Sequence, residues 1–352
     1  MDLINLLITV ASFLAVLAVI IIAHELGHFS TAKAFGVKVE EFGVGFPPRI
    51  WGKQYGETLY SLNAVPLGGF TKMAGEEDPD APRSLAGKPV GIRLLVLAGG
   101  SLMNFLLPLI LFTIAYLIPH NVIEGAVIVS EVAPDSPAAA AGILPGDRID
   151  SINGKDVGST SDLQRYIQIY LGDDTEVTVT HSDGTEATVS LVPRWRPPPG
   201  EGAVGVAVSM EDYEIISRSE PAWRATPLAV NTYNETMILF KNGLLSMLTG
   251  AVPLEVRGPV GIAEMTGEVA RAGISPLLEF AAFLSINLGL LNLFPLPALD
   301  GGRIAFVILE KIRRGKRISP QTEGKVHLIG FILLIGVLIA ITYNDIARIL
   351  GG

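Results

Sequence analysis

No cysteine occurs among the 352 residues. That excludes disulfides and thiolate metal sites, so any metal is held by imidazole or carboxylate. Charge is scarce too. Asp, Glu, Lys and Arg make up 17% of the chain, against roughly 25% in soluble globular domains. With 49% hydrophobic residues, the deficit points to a membrane protein. Cations are the scarcer sign, 26 Lys and Arg against 35 Asp and Glu, so the basic footprint of a nucleic-acid-binding protein is missing. Also missing is a basic segment ahead of the first apolar run, which starts at Leu3 behind Met1-Asp2. A signal peptide carries one, so the run reads as a retained span.

What is present is long apolar sequence. Four stretches, 3–23, 94–118, 280–299 and 326–343, each approach the ~20 residues that cross a ~30 Å hydrocarbon core. Thr31 to Arg93 carries eight Lys/Arg and Arg303 to Lys325 seven, while His120 to Ala225 carries seventeen Asp/Glu against seven Lys/Arg. Positive loops stay in the cytoplasm. Both ends and the acidic middle are therefore expected outside, with the 31–93 and 303–325 loops inside.

Between the spans the pattern changes. Residues 36–92 alternate apolar and polar positions between Gly and Pro turns, as in "ETLYSLNAVPLGGFTKMAG", and predict short strands followed by a polar connector, "GEEDPDAPRSLAGKPVG". Residues 122–210 read as an α/β module. "STSDLQRYIQIYLGD" predicts a helix capped by Ser161 or Thr160, "TEVTVTHSDGTEATVSLVP" predicts a strand pair across an Asp-Gly turn, and "AVGVAV" at 203–208 predicts a last strand. After the proline-rich "RPPPG", residues 223–249 predict an amphipathic helix lying on the outer membrane face or packed on the spans.

The first span ends in "HELGH". On a helix, His24 and His28 share a face and can offer two nitrogens to one ion, with Glu25 one step round and able to reach a water on it. Ionisable groups in an apolar span cost about 2.5–3.5 kcal/mol each on insertion scales, which favours a metal site over incidental polar packing. An open zinc site needs a third protein ligand. His120 and His181 fall on the outer side and His327 in a polar stretch, so Asp300 in "NLGLLNLFPLPALDGGR" is preferred. Both the first and third spans run outside to inside, and each reaches its polar residues after about twenty positions, at similar depth. Asp300 as an interfacial carboxylate or helix N-cap is the competing reading.

"HELGH", "PLGGFTKMAGEED", "AGGSLMNF", "LPGDRIDSING" and "NLFPLPALDGG" occur in that order. Together they resemble the bacterial site-2 proteases, intramembrane zinc metalloproteases, and within them the regulator-of-sigma-E protease branch. The resemblance spans nearly the whole chain. It implies that His24, His28 and Asp300 bind one zinc ion, that Glu25 activates water, and that Asn292, Pro295 and Pro297 form a broken, substrate-holding helix. It further implies that Gly68, Gly69 and Phe70 belong to a membrane-dipping β-hairpin that pairs with an extended substrate. Gly100 and Asn104 support the core or pack helices closely. "EFGVGF" at 41–46 matches a family loop without an evident role. One PDZ pattern is found where the best-known members of the branch have two.

The expected fold is therefore a membrane α-helical core of four transmembrane helices with a membrane-associated β-hairpin region and an inserted α/β PDZ domain. Expected boundaries are 1–35, 93–119, 277–302 and 326–350 for the spans and 36–92 for the β region. The PDZ domain takes 122–210, a linker with amphipathic helix 211–275, and a basic cytoplasmic loop 303–325. The expected activity is hydrolysis of peptide bonds within single-span membrane proteins such as anti-sigma factors or remnant signal peptides. The bacterial cytoplasmic membrane would be its location, with the PDZ domain extracytoplasmic, bound to a peptide or protein, and the active site near the cytoplasmic side. A zinc enzyme of another class and a non-catalytic scaffold that binds peptides through the PDZ domain are the alternatives.

Overall fold

A computed structural model of the chain describes residues 3–76, 78–251 and 257–351. Glu77 of the predicted connector and 252–256 of the predicted linker lie outside the described residues. The elements in order are α1 (Leu3–Ala34), β1 (Val39–Tyr55), β2 (Thr58–Met73), α2 (Val90–Leu117), β3 (His120–Val132), α3 (Pro137–Ala140), β4 (Arg148–Ile152) and β5 (Lys155–Asp156). There follow α4 (Thr160–Ile169), β6 (Thr175–Thr180), β7 (Glu186–Leu191), β8 (Val206–Arg218), α5 (Ala222–Leu248), α6 (Pro259–Ala272), α7 (Ile274–Leu293), α8 (Asp300–Ile312) and α9 (Pro320–Gly351). The chain divides into two compact units, residues 1–116 with 256–352, and residues 117–255.

In the first unit α1, α2, α7 and α9 are, among the described residues, the four helices long and apolar enough to cross a membrane. Helix α1 stops where Gly36 turns left-handed at φ +67. The Gly36 N–H then donates to Lys33 O and the Val37 N–H to Ala32 O, a Schellman closure that turns the chain into the β region. Helices α1 and α2 touch backbone to backbone. A Cβ on Gly27 would lie 2.1 Å from Gly99 O, and one on Gly99 2.7 Å from Gly27 O, so small residues permit this approach. Pro108 inside α2 leaves the carbonyl of Asn104 without its helical donor. The Ser285 hydroxyl of α7 supplies the missing bond at 2.9 Å, so the proline also fixes where α7 packs.

Strands β1 and β2 are long but bent, and pair as shorter segments, in keeping with the short strands that the alternation predicts. Residues 41–44 pair with 59–62 on one side and 69–72 on the other, while 49–55 pairs with 58–63. The break in β1 falls at Gly45, φ +81, and at Pro47-Pro48, which have no N–H to give to a ladder. "EFGVGF" finds its explanation here. The ring of Phe70 lies where a Gly43 side chain would be and the ring of Phe46 where a Gly68 side chain would be. Segment 69–73 is left as an edge, unpaired on its other side among the described residues.

Two short helices depart from expectation. Residues 303–312 are helical rather than loop, because α8 begins at Asp300 and runs to Ile312. Its Arg303 pairs with Glu76 at 2.8 Å, and its Glu310 takes both Arg93 of α2 at 2.6 Å and Arg317 at 3.2 Å. Helix α6 lies within the predicted linker. Its sequence, "PVGIAEMTGEVARA", has no broad apolar stripe, and it packs through Thr266 and Gly267, the latter against Thr9 of α1. Buried Asp345 of α9 accepts the N–H of Gly261 at the start of α6, at 2.8 Å, where a carboxylate also suits the helix dipole.

The second unit holds an antiparallel sheet of order β7-β6-β4-β3-β8, with β5 on β4. Alternating Val127, Val129, Ile149, Ile152, Val177 and Val179 meet Leu163 of α4 and Ala138 of α3 in one apolar core. Asn153 and Gly154, both at positive φ, make the tight turn between β4 and β5. The cap of α4 is Ser159, not Thr160 or Ser161: its Oγ accepts the Asp162 N–H at 3.1 Å. Strand β8 starts at Val206 and continues to Arg218, paired with β3 on both sides of a bulge at 212–213, so residues 211–218 of the segment expected as linker are strand. Both faces of that ribbon are largely exposed, and without burial there is no alternation to read. Helix α5 is fastened by polar residues to this unit. Glu235 binds Lys155 at 2.5 Å and also Arg165, and the Asn242 amide donates to Gln168 O and Ile169 O at the end of α4.

Candidate metal centre

Helix periodicity brings His24 and His28 to one face of α1, turned toward α2. The His28 Nδ1–H donates to Val96 O of α2 at 2.9 Å, which leaves Nε2 with a free lone pair. The His24 Nδ1 lies 3.3 Å from the side-chain amide of fully buried Asn104, whose oxygen has no other partner. With the amide turned so that Oδ1 faces the ring, Asn104 accepts Nδ1–H, and Nε2 of His24 is likewise free. Gly100 makes the space: a Cβ there would lie 2.5 Å from Nε2 of either histidine.

Asp300 reaches this pair by a chain break. Helix α7 ends at Leu293, and residues 294–299 are unwound through Pro295, Pro297 and left-handed Ala298, φ +76. Helix α8 then starts with Asp300 as its first residue, Leu299 serving as N-cap without a side-chain bond. "DGG" allows the new helix to press on the old one, since a Cβ on Gly301 would lie 2.0 Å from Phe294 O and one on Gly302 2.5 Å from Leu296 O. From α9, His327 Nδ1 accepts the Ala298 N–H at 2.9 Å, and Gly330 lets that helix seat against Pro297. Unwound backbone at membrane depth needs such internal partners.

The three side chains converge. Asp300 Oδ2 lies 3.1 Å from Nε2 of His24 and 3.1 Å from Nε2 of His28, and the two nitrogens are 3.2 Å apart. Ligands about 2.0–2.1 Å from a tetrahedral zinc are about 3.3 Å from one another, so the spacing and the N2O donor set fit that ion. Three ligands leave a fourth position for water or substrate.

A cavity of about 470 Å³ opens on the cluster and is lined by Glu25, edge residues 69–73, Glu76, Leu97, Arg303 and the three converging side chains, among others. Glu25 is half-buried, and its Oε2 accepts the Thr71 hydroxyl at 2.7 Å. Of the residues singled out in the sequence, His24, Glu25, His28, Gly69, Phe70 and Asp300 share this cavity, while Gly100 and Asn104 touch the imidazoles from behind. Gly68, Asn292, Pro295 and Pro297 do not line it. Thr71, Lys72, Glu76, Arg303 and the anchoring role of His327 went unnoticed in the sequence. Thr71 and Lys72 lie inside the quoted "PLGGFTKM", so strand alternation from Gly69 was the available signal for Thr71.

Comparison with known proteins agrees with this geometry. The model of peptidase family M50 matches residues 12–337. A protein named zinc metalloprotease RasP from Geobacillus kaustophilus is 31% identical, covering 97% of this chain and 98% of its own length. Proteins named putative zinc metalloproteases from Clostridium perfringens and Rhizobium meliloti are 36% and 32% identical, over 93% and 99% of this chain and 95% and 98% of their own lengths. A family match over most of the sequence, and relatives alike over nearly their full lengths, make the chain a member of peptidase family M50, a zinc-dependent metalloprotease of the site-2 type.

Proposed function

We propose that this protein hydrolyses peptide bonds inside the transmembrane segments of single-span membrane proteins, using one zinc ion held by His24, His28 and Asp300. The observation that carries the reading is the convergence of those three side chains, within 3.2 Å of one another, beside an edge strand and the Glu25 carboxylate. Zinc, when bound, brings the pKa of a water toward about 7 and polarises the scissile carbonyl. Glu25 takes the proton of the attacking water and delivers it to the leaving nitrogen. The edge at 69–73 offers backbone N–H and C=O groups to a substrate strand, which holds an unwound segment extended across the cavity. A helix cannot present its carbonyls in this way, so substrates that unwind readily are preferred. Asn292 near the end of α7, and Pro295 and Pro297 in the unwound segment after it, make up the broken helix that leads to Asp300, with Asn292 holding substrate there. The basic 31–93 and 303–325 segments support an active site on the cytoplasmic side of a bacterial inner membrane, with the α/β unit outside and free to take a peptide.

The test uses the full chain purified in detergent with a purified single-span membrane protein as substrate. Wild type is expected to carry one zinc per chain and to cleave within the span. Glu25→Gln is expected to keep the zinc and lose about 10²–10⁴-fold in rate. Folded wild type without zinc, or unimpaired cleavage by Glu25→Gln, overturns the reading.

A further inference from the structure

The mechanism above leaves Thr71 unused, although its hydroxyl makes the shortest contact that Glu25 has. The Thr71 Oγ1 lies 2.7 Å from Glu25 Oε2 and 3.1 Å from the Glu25 main-chain oxygen. The hydroxyl has one proton, and the charged oxygen at the shorter distance is the stronger acceptor. Thr71 is 9% exposed and sits at the cavity wall. Strand alternation puts Gly69 on the same face, and there a Cβ would lie 3.0 Å from Glu25 Cγ and 3.1 Å from Ile21 Cγ2. Edge residues 69 and 71 thus form a seat for one carboxylate: the glycine clears room for its stem and the threonine grips one oxygen. The same Glu25 side chain lines the cavity.

We infer that Thr71 is a positioning residue for the catalytic base, holding the Glu25 carboxylate in the rotamer that reaches the metal centre. The inference rests on the reading of Glu25 as that base. It has a consequence for how the site works. The strand that carries Thr71 is the one offered to substrate, so seating a peptide on the edge and aiming the base are parts of one structural element.

The experiment measures Thr71→Val, Thr71→Ser and Glu25→Gln in the full-length, zinc-loaded protein with the same single-span substrate. Thr71→Val keeps the shape and removes the donor. It is expected to lower kcat about 10- to 100-fold, the loss of one hydrogen bond to a charged group, with KM and zinc stoichiometry unchanged. Thr71→Ser restores the donor and is expected to recover kcat to within about threefold. A readout without catalysis comes from thermal unfolding of the zinc-free protein, where Thr71→Val lowers Tm more in the parent than in a Glu25→Ala background, in which the hydroxyl keeps only the main-chain acceptor of residue 25. Wild-type kcat in Thr71→Val, a serine variant no better than valine, or a defect confined to KM overturns the inference. If Glu25→Gln is inactive while Thr71→Val is unimpaired, only this inference falls. If Glu25→Gln retains full kcat, the base assignment itself is wrong.

Discussion

Both units of this chain bury apolar side chains, but the helical one buries more polar groups among them. The α/β unit encloses valine, isoleucine and leucine, such as Val127, Ile152 and Val179, all nearly inaccessible, as a protein in water must. The unit containing α1, α2, α7 and α9 buries His24, His28, Ser101, Asn104, Thr266, Ser275 and Ser285, while Leu3, Ile4, Leu106, Ile110, Phe331 and Leu333 stand exposed. Lipid supplies no hydrophobic drive for packing helices together, so small and polar residues make the interior contacts and large apolar ones face outward. One consequence is functional. Buried polarity in the α/β unit is spent largely on caps and turns, whereas in the helical unit His24, His28 and Asn104 meet at the candidate metal centre.

The sharpest way to break this comparison is Gly100→Ala. The added methyl occupies the space of both imidazoles, which can swing aside without unfolding the helices. Complete loss of bound zinc with an intact fold is expected, read by metal analysis and circular dichroism. Retained zinc would mean that the close approach has slack. The converse substitution, Ile152→Ala, opens a cavity in the apolar core of the other unit. It should cost that unit about 2–5 kcal/mol, seen as increased susceptibility of 117–255 to limited proteolysis in the whole protein, with the zinc content unaltered. Asn104→Ala removes the partner of His24 Nδ1 while sparing the three proposed ligands. Zinc affinity is expected to fall about 10- to 100-fold in competition with a chelator; an unchanged affinity would reduce Asn104 to helix packing. The smallest effect belongs to Glu57. Bonds from Arg83 and then Lys33 lower its carboxyl from 4.5 to about 2, so its contribution is complete above pH 4.5 and fades as pH falls toward 2. Glu57→Gln should therefore differ slightly from the parent in Tm at neutral pH and converge with it in acid.

Legibility in the sequence followed locality. The spans, the helix of "STSDLQRYIQIYLGD" and the Asp183-Gly184 turn were readable because each is a period or a turn residue within a short window. Residues 211–218 were not, since an exposed strand carries no burial pattern, nor was α6, whose helix face is glycine and threonine instead of leucine. The His24/His28 pair was readable from its spacing of four. The candidate third member came from similar depth in the bilayer and from a family resemblance, and neither contains a distance.

By itself, the amino-acid order determined that this chain has four stretches long and apolar enough to cross a membrane, which loops carry positive charge, and that two imidazoles share a helix face. These are properties of composition and of helical repeat, which neighbouring residues settle among themselves. Tertiary structure alone decided that Asp300 meets His24 across 276 positions, that Asn104 stands behind one ring, and that an edge strand closes on Glu25. Those meetings depend on glycine-sized gaps between helices and on an unwound turn held by another helix, and such contacts have no period along the chain to announce them.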